Sequence, residues 1–61
     1  MQIYKSPGGA LYFVVEGVVY RRPVGAPVET ARMTVNRYLE LITGGLLTFH
    51  KIIKPIMLQK H

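Results

Sequence analysis

Residues 11–20 read Leu-Tyr-Phe-Val-Val-Glu-Gly-Val-Val-Tyr and carry the strongest structural signal in the sequence. Two runs of β-branched and aromatic residues flank the pair Glu16 and Gly17. Such residues favour strands because their side chains pack well on a pleated surface. Two runs of this kind, separated by a glycine-containing pair, predict a β-hairpin. We therefore expect the rest of the chain to be arranged around this hairpin.

Two registers are open for the hairpin. If Glu16 and Gly17 alone form the turn, Glu16 must adopt a positive φ, which a residue with a Cβ resists. A type I turn in which Gly17 supplies a left-handed bulge residue avoids that strain. The sequence favours the bulged register, in which Tyr12 faces Tyr20.

Both faces of the hairpin are apolar in either register. In the bulged register, one face carries Tyr12, Val14, Val18 and Tyr20, and the other carries Leu11, Phe13 and Val19. A solvated antiparallel sheet normally alternates apolar and polar residues. One short helix can cover only one of the two faces, so the other face requires a partner. The interface residues predicted on this basis are Val14, Val18 and Val19.

The segments on either side of the hairpin indicate further short elements. Residues 1–5 alternate weakly, which is compatible with a first strand ending at a turn over residues 6–9. The second arm of the hairpin ends at Pro23, which has no N–H for the ladder. Residues 28–34 fit either a short extended segment or an early start of the helix that follows.

A helix is predicted after Thr34, which acts as its N-cap. Gly44 and Gly45 supply the left-handed residue that ends helices. The apolar stripe of this helix consists of Val35, Tyr38, Leu39 and Ile42, and Leu41 lies off the stripe, beside Arg37.

The last element covers residues 46–53 and fits either a strand or a helix, and we favour a strand. Pro55 stops the element in either case. The predicted fold class is therefore α+β: a small antiparallel sheet built on an N-terminal hairpin, with two or three strands, one packed helix and a C-terminal strand. The chain is expected to form a single small domain over residues 1–61.

A chain of 61 residues has little interior, and small domains usually need disulfides, metals or oligomerisation to be stable. The sequence contains no cysteine, which excludes disulfides and thiolate metal sites. Hydrophobic residues nevertheless make up 49% of the chain. Oligomerisation is the remaining means of stabilisation, and a two-fold homodimer is the simplest expectation.

The formal net charge of +5 favours acidic partners such as nucleic acid, an anionic membrane surface or an acidic protein. The same charge can also simply keep a small protein soluble. Arginine and lysine contact phosphates, tyrosine can stack on bases, and a two-stranded ribbon fits the DNA major groove. The predicted nucleic-acid-binding residues are Arg21, Arg22, Arg37, Lys51, Lys54, Tyr12 and Tyr20.

A helix-turn-helix is a poor match to the sequence. That motif needs a small residue in its first helix and an apolar residue just after the turn glycine. With Gly44 as the turn glycine, Gly45 occupies the apolar position. With Gly45 as the turn glycine, Leu41 occupies the small-residue position. The sequence therefore favours binding through the sheet.

Catalysis is not expected, because the chain has no aspartate, no cysteine, a single serine and three well-separated glutamates. His50 and His61 are the only imidazoles, so no metal site or cofactor is predicted. The leading hypothesis is a small basic nucleic-acid-binding or regulatory protein. The alternative is a protein-interaction module, an inhibitor or assembly factor, that docks through the hairpin face.

Two sequence features bear on cellular location and membrane attachment. Residues 1–5 lack the features of a signal peptide, and the uncharged, mostly apolar stretch from Leu41 to Phe49 is too short to span a bilayer. We expect a complete cytoplasmic protein that begins at its own Met1. A third hypothesis is peripheral membrane binding through the apolar and basic tail over residues 56–61.

Overall fold

The computed structural model describes residues 1–54, which form a five-stranded antiparallel sheet and one helix. The strands are β1 (Gln2–Lys5), β2 (Leu11–Val15), β3 (Val18–Arg22), β4 (Glu29–Thr30) and β5 (Thr48–Ile52), and the helix is α1 (Val35–Thr43). The strand order is β4-β3-β2-β1-β5, which places the hairpin in the middle of the sheet. The predicted α+β fold, with N-terminal strands, one helix and a C-terminal strand, is confirmed. The predicted tail over residues 56–61 lies outside the described residues.

The hairpin register favoured from the turn chemistry is wrong. Val15 pairs with Val18, so Glu16 and Gly17 form a two-residue turn without a bulge. Their φ values are 51° and 80°, and a type I′ turn requires positive φ at both positions. The left-handed conformation costs a residue with a Cβ roughly 1–2 kcal/mol. The uninterrupted ladder between β2 and β3 and the core contacts that it aligns offset this local cost.

This register decides which side chains share a face of the sheet. Tyr12 pairs with Arg21 and lies on the face that α1 covers, which we call the helix face. Phe13 pairs with Tyr20 on the opposite side, which we call the outer face. Tyr12 and Tyr20 therefore lie on opposite faces, whereas the bulged register would have placed them together.

The turn gives a direct test of this register. We expect Glu16→Asn to stabilise the protein by about 0.5–1 kcal/mol, because asparagine tolerates the left-handed conformation far better than glutamate. Gly17→Ala should lower stability by about 1 kcal/mol, and a Cβ at that position meets no atom within 4 Å, so the backbone conformation alone is responsible. Urea unfolding of both variants measures the two changes. A destabilised Glu16→Asn variant would contradict the two-residue turn.

The core lies between the helix face and α1. Its buried centre consists of Val19 from β3, Tyr38 from α1 and Leu47 from the segment before β5. The half-buried side chains packed around this centre are Tyr4, Tyr12, Val14, Ala31, Met33, Val35, Leu41 and Ile42. Burial in such a cluster is the main favourable contribution to folding. The core is small, as expected for a chain of this length.

The helix begins and ends as the sequence predicts. The Thr34 side-chain oxygen accepts a hydrogen bond of 3.1 Å from the Arg37 backbone N–H, so Thr34 is the N-cap. At the other end, Gly45 has φ 82°, and its N–H donates to the Ile42 carbonyl. The next N–H, of Leu46, donates to Leu41, which completes a Schellman motif.

The β1 and β5 strands pair with one irregularity. Tyr4 faces Phe49 and Ile3 faces Lys51, which leaves His50 as an extra residue in β5. The strand interpretation of residues 46–53 is confirmed. Residues 28–34 form the short strand β4 and an irregular connection rather than an early helical turn.

Candidate nucleic-acid interface

Three basic side chains occupy the outer face of the sheet. Lys5 pairs with Leu11 and Leu11 with Arg22, so the two cations flank Leu11 in one row across β1, β2 and β3. Lys51 pairs with Ile3, which places it on the same face by register. In the strands that the structure describes, the only carboxylate is that of Glu29, whose partner Arg21 lies on the helix face. The outer face of these strands is therefore uniformly positive.

An aromatic pair lies on the same face. Phe13 and Tyr20 are stacked on adjacent strands, with ring centroids 5.7 Å apart and an angle of 14° between the ring planes. Both side chains are half-buried. They border an apolar concavity of about 350 Å³, whose lining residues are Met1, Ile3, Phe13, Val15, Tyr20, Val28 and Ile53. The outer face thus combines an apolar floor with cations in the neighbouring rows.

Two arginines on the helix side of the sheet, Arg21 and Arg37, form ion pairs. The Arg21 guanidinium lies 3.2 Å from the Glu29 carboxylate, and the Arg37 guanidinium lies 3.1 Å from that of Glu40. These are the ion pairs found within residues 1–54. Both pairs are solvent-exposed and contribute little to stability. Each pair neutralises one arginine on this side, whereas no ion pair within residues 1–54 involves Lys5, Arg22 or Lys51.

The predicted nucleic-acid-binding residues are divided between the two sides of the molecule. Arg22, Tyr20 and Lys51 lie on the outer face, and Lys54 follows β5 in an exposed position. Arg21 and Tyr12 are on the helix face, and Arg37 is on the exposed surface of α1. The Tyr12 ring packs in the core and its carbonyl accepts a hydrogen bond from the Tyr38 hydroxyl.

The predicted interface residues are likewise separated by the register. Val19 is buried at the centre of the core, and Val14 packs against it. Val18 lies on the outer face and is 42% exposed. A partner on the outer face would thus meet Val18 but neither of the other two valines.

Two residues of this surface were missed by the sequence reasoning, Lys5 and Phe13. The pairing of Lys5 with Leu11, and of Phe13 with Tyr20, brings them beside predicted residues. Side chains alternate between the two faces along each strand, so the correct register would have identified both residues. Phe13 and Lys5 share a face with Tyr20 and Arg22 only when β2 and β3 pair through a two-residue turn.

Two modes of duplex recognition do not fit this sheet. The β2–β3 hairpin is flanked by β1 and β4, so it is not a free two-stranded ribbon of the kind that enters a major groove. The segment after α1 leads into strand β5 instead of a second helix, so the helix-turn-helix is excluded. A broad sheet face that carries aromatic side chains is typical of modules that contact single-stranded nucleic acid.

Tyr38 is a structural residue. Its burial, together with a smaller contribution from nearby Tyr4, raises the pKa of Tyr38 to about 12 from its ordinary 10.0. The Tyr38 hydroxyl donates a hydrogen bond of 3.3 Å to the Tyr12 carbonyl. Edge-to-face contact with the Tyr4 ring, at a centroid distance of 6.0 Å, holds the ring in place.

Other site types find no support in the described part of the chain. Within residues 1–54, no three histidine, cysteine, aspartate or glutamate side chains come together as a metal site would require. The helix found there, α1, is too short to cross a lipid bilayer. Comparison of the chain with protein-family models, curated proteins and solved structures gave no match.

Proposed function

We propose that the protein binds single-stranded nucleic acid on the outer face of its sheet. One observation carries this proposal: the stacked pair Phe13 and Tyr20 shares a face with Lys5, Arg22 and Lys51. Single-strand binders use this same combination, in which cations follow the phosphates and aromatic rings stack on the bases.

We assign a role to each group on this face. Arg22 and Lys5, at the ends of one row, contact phosphates on either side of Leu11, and Lys51 contacts a further phosphate beyond Ile3. Unpaired bases lie against the Phe13 and Tyr20 rings, and the adjacent concavity accepts an apolar base face. Such contacts carry little sequence information, so we expect weak sequence preference and binding to DNA and RNA in the cytoplasm.

The concavity itself favours a second candidate function. The surface that lines it is apolar, and apolar concavities of this kind also bind protein side chains. An acidic protein partner would use the same three cations. Binding of an oligonucleotide distinguishes the two functions, since a protein-docking face has no need to bind single strands.

The aromatic pair provides the test of the proposal. We expect the protein to bind a fluorescently labelled mixed-sequence 12-nucleotide strand at low salt, and the double variant Phe13→Leu, Tyr20→Leu to bind at least tenfold more weakly. Stacking contributes about 1–3 kcal/mol per base, and about 1.4 kcal/mol corresponds to tenfold in affinity. Fluorescence anisotropy measures both affinities.

Phe49→Leu is the matched control, because Phe49 is an exposed aromatic residue opposite Tyr4 on the helix face. We expect its affinity to remain within twofold of that of the unmodified protein. Circular dichroism melting of each variant verifies that the fold is retained. Absence of single-strand binding by the unmodified protein at low salt, or equal losses in both variants, would refute the proposal.

A further inference from the structure

A second apolar surface lies on the helix side of the molecule. A groove of about 330 Å³ separates part of α1 from β1 and β2. The helix contributes Val35, Tyr38, Leu39 and Ile42 to this groove, and the strands contribute Gln2, Tyr4 and Val14. The nine-residue helix is thus too small to close over the whole helix face of the sheet.

Large exposed side chains border this groove on both sides. Leu39 projects from α1 and is 51% exposed. Along β5, Phe49 is 56% exposed and pairs with Tyr4, while Ile52 is 63% exposed and pairs with Gln2. Contiguous exposed apolar surface of this kind marks an interaction site more often than solvent-facing surface.

The charge of this surface differs from that of the outer face. None of the seven groove residues carries a charged side chain. The nearest charges on α1, Arg37 and Glu40, neutralise each other at 3.1 Å. An uncharged surface offers nothing to attract an anion, and a second copy of the same surface meets no repulsion there. If two copies met through their outer faces instead, the three cations of one copy would repel the three cations of the other.

We propose that this groove and its apolar border form the interface of a two-fold homodimer. A two-fold interface places the same surface on both sides, so a ridge of one copy enters the groove of its partner and the reverse. Leu39 provides the ridge on α1, and Phe49 and Ile52 provide the ridge on β5. The dimer leaves both outer faces exposed.

The size of the core gives an independent reason for this partner. The buried hydrophobic residues among those described are Ile3, Ala10, Val19, Tyr38 and Leu47. A chain of 61 residues with so small a core and no cysteine needs further burial to be stable. Burial of Leu39, Phe49 and Ile52 against a second copy supplies it. The inference does not depend on nucleic-acid binding.

Light scattering coupled to size-exclusion chromatography tests the dimer. We expect the unmodified protein at about 100 µM to have close to twice the chain mass of 6.9 kDa. Leu39→Glu and, separately, Ile52→Glu should give monomers, because each places a carboxylate in the apolar interface. Two variants are used so that a folding defect in one does not decide the result, and circular dichroism verifies the fold of each.

Val18→Glu and Val24→Glu are the controls, because these valines are exposed at 42% and 74% and do not border the groove. Both control variants should remain dimers. A monomeric unmodified protein at 100 µM would overturn the inference. Dissociation by Val18→Glu with intact dimers of both groove variants would also overturn it, because the interface would then be the outer face.

Discussion

The variant with glutamine in place of Lys5, Arg22 and Lys51 is expected to lose most of the salt dependence of single-strand binding. Each phosphate contact contributes a slope of about −0.7 to log affinity against log salt for single strands, so three contacts give about −2. The unmodified protein should therefore bind about twentyfold more weakly at 200 mM than at 50 mM salt. The variant should bind weakly at both concentrations and change by less than threefold between them. Anisotropy titrations at several salt concentrations measure the slopes.

A second triple variant separates this effect from that of net charge. Glutamine in place of Arg21, Arg32 and Arg37 removes the same number of positive charges, but Arg21 and Arg37 already form ion pairs on the helix side. Arg32 lies near Arg21, in the connection between β4 and α1. We expect this variant to keep a slope close to −2. Equal slopes in the two triple variants would mean that the outer face has no special role in binding.

Tyr38→Ala is expected to leave the protein largely unfolded at 25 °C. Truncation of a buried aromatic side chain costs about 3–5 kcal/mol, and a single core in a domain this small supplies only about 3–5 kcal/mol of stability. The substitution removes the ring that contacts both Tyr4 and Tyr12, and the hydroxyl that donates to the Tyr12 carbonyl. Far-ultraviolet circular dichroism and urea titration give the folded fraction.

Tyr38→Phe distinguishes the ring from the hydroxyl. It keeps the packing and leaves the Tyr12 carbonyl without the 3.3 Å hydrogen bond, so we expect a loss of about 1 kcal/mol and a folded protein. If Tyr38→Ala melts within a few degrees of the unmodified protein, the centre of the core lies elsewhere.

The elements of this fold could be predicted because their signals are local. Thr34 and Gly45 define the helix ends through hydrogen bonds to residues within one turn. The hairpin register could not be predicted in the same way. A positive φ at Glu16 does cost free energy, as the sequence indicates. The pairing of the whole hairpin and the burial of Val19 outweigh this cost.

The candidate site depends on the register, so only part of it could be predicted from the sequence. Arginine and tyrosine at the end of β3 are recognisable by composition, but their faces are set by pairing across the sheet. A shift of one residue in the pairing exchanges the two faces, which separates Tyr12 from Tyr20 and brings Phe13 to the stacking position. The helix-side groove could not be predicted either, because it depends on how little of the sheet one short helix covers.

The extra residue in β5 has a consequence for how far self-association can extend. Strands at the two margins of a sheet expose unpaired N–H and C=O groups, which invite further strands and lead to fibrils. Here one margin is the two-residue strand β4, and the other is β5, whose ladder is interrupted at His50 and followed by Lys51. Neither margin of the described sheet offers a long regular template, so we expect strand-by-strand growth into fibrils to be disfavoured.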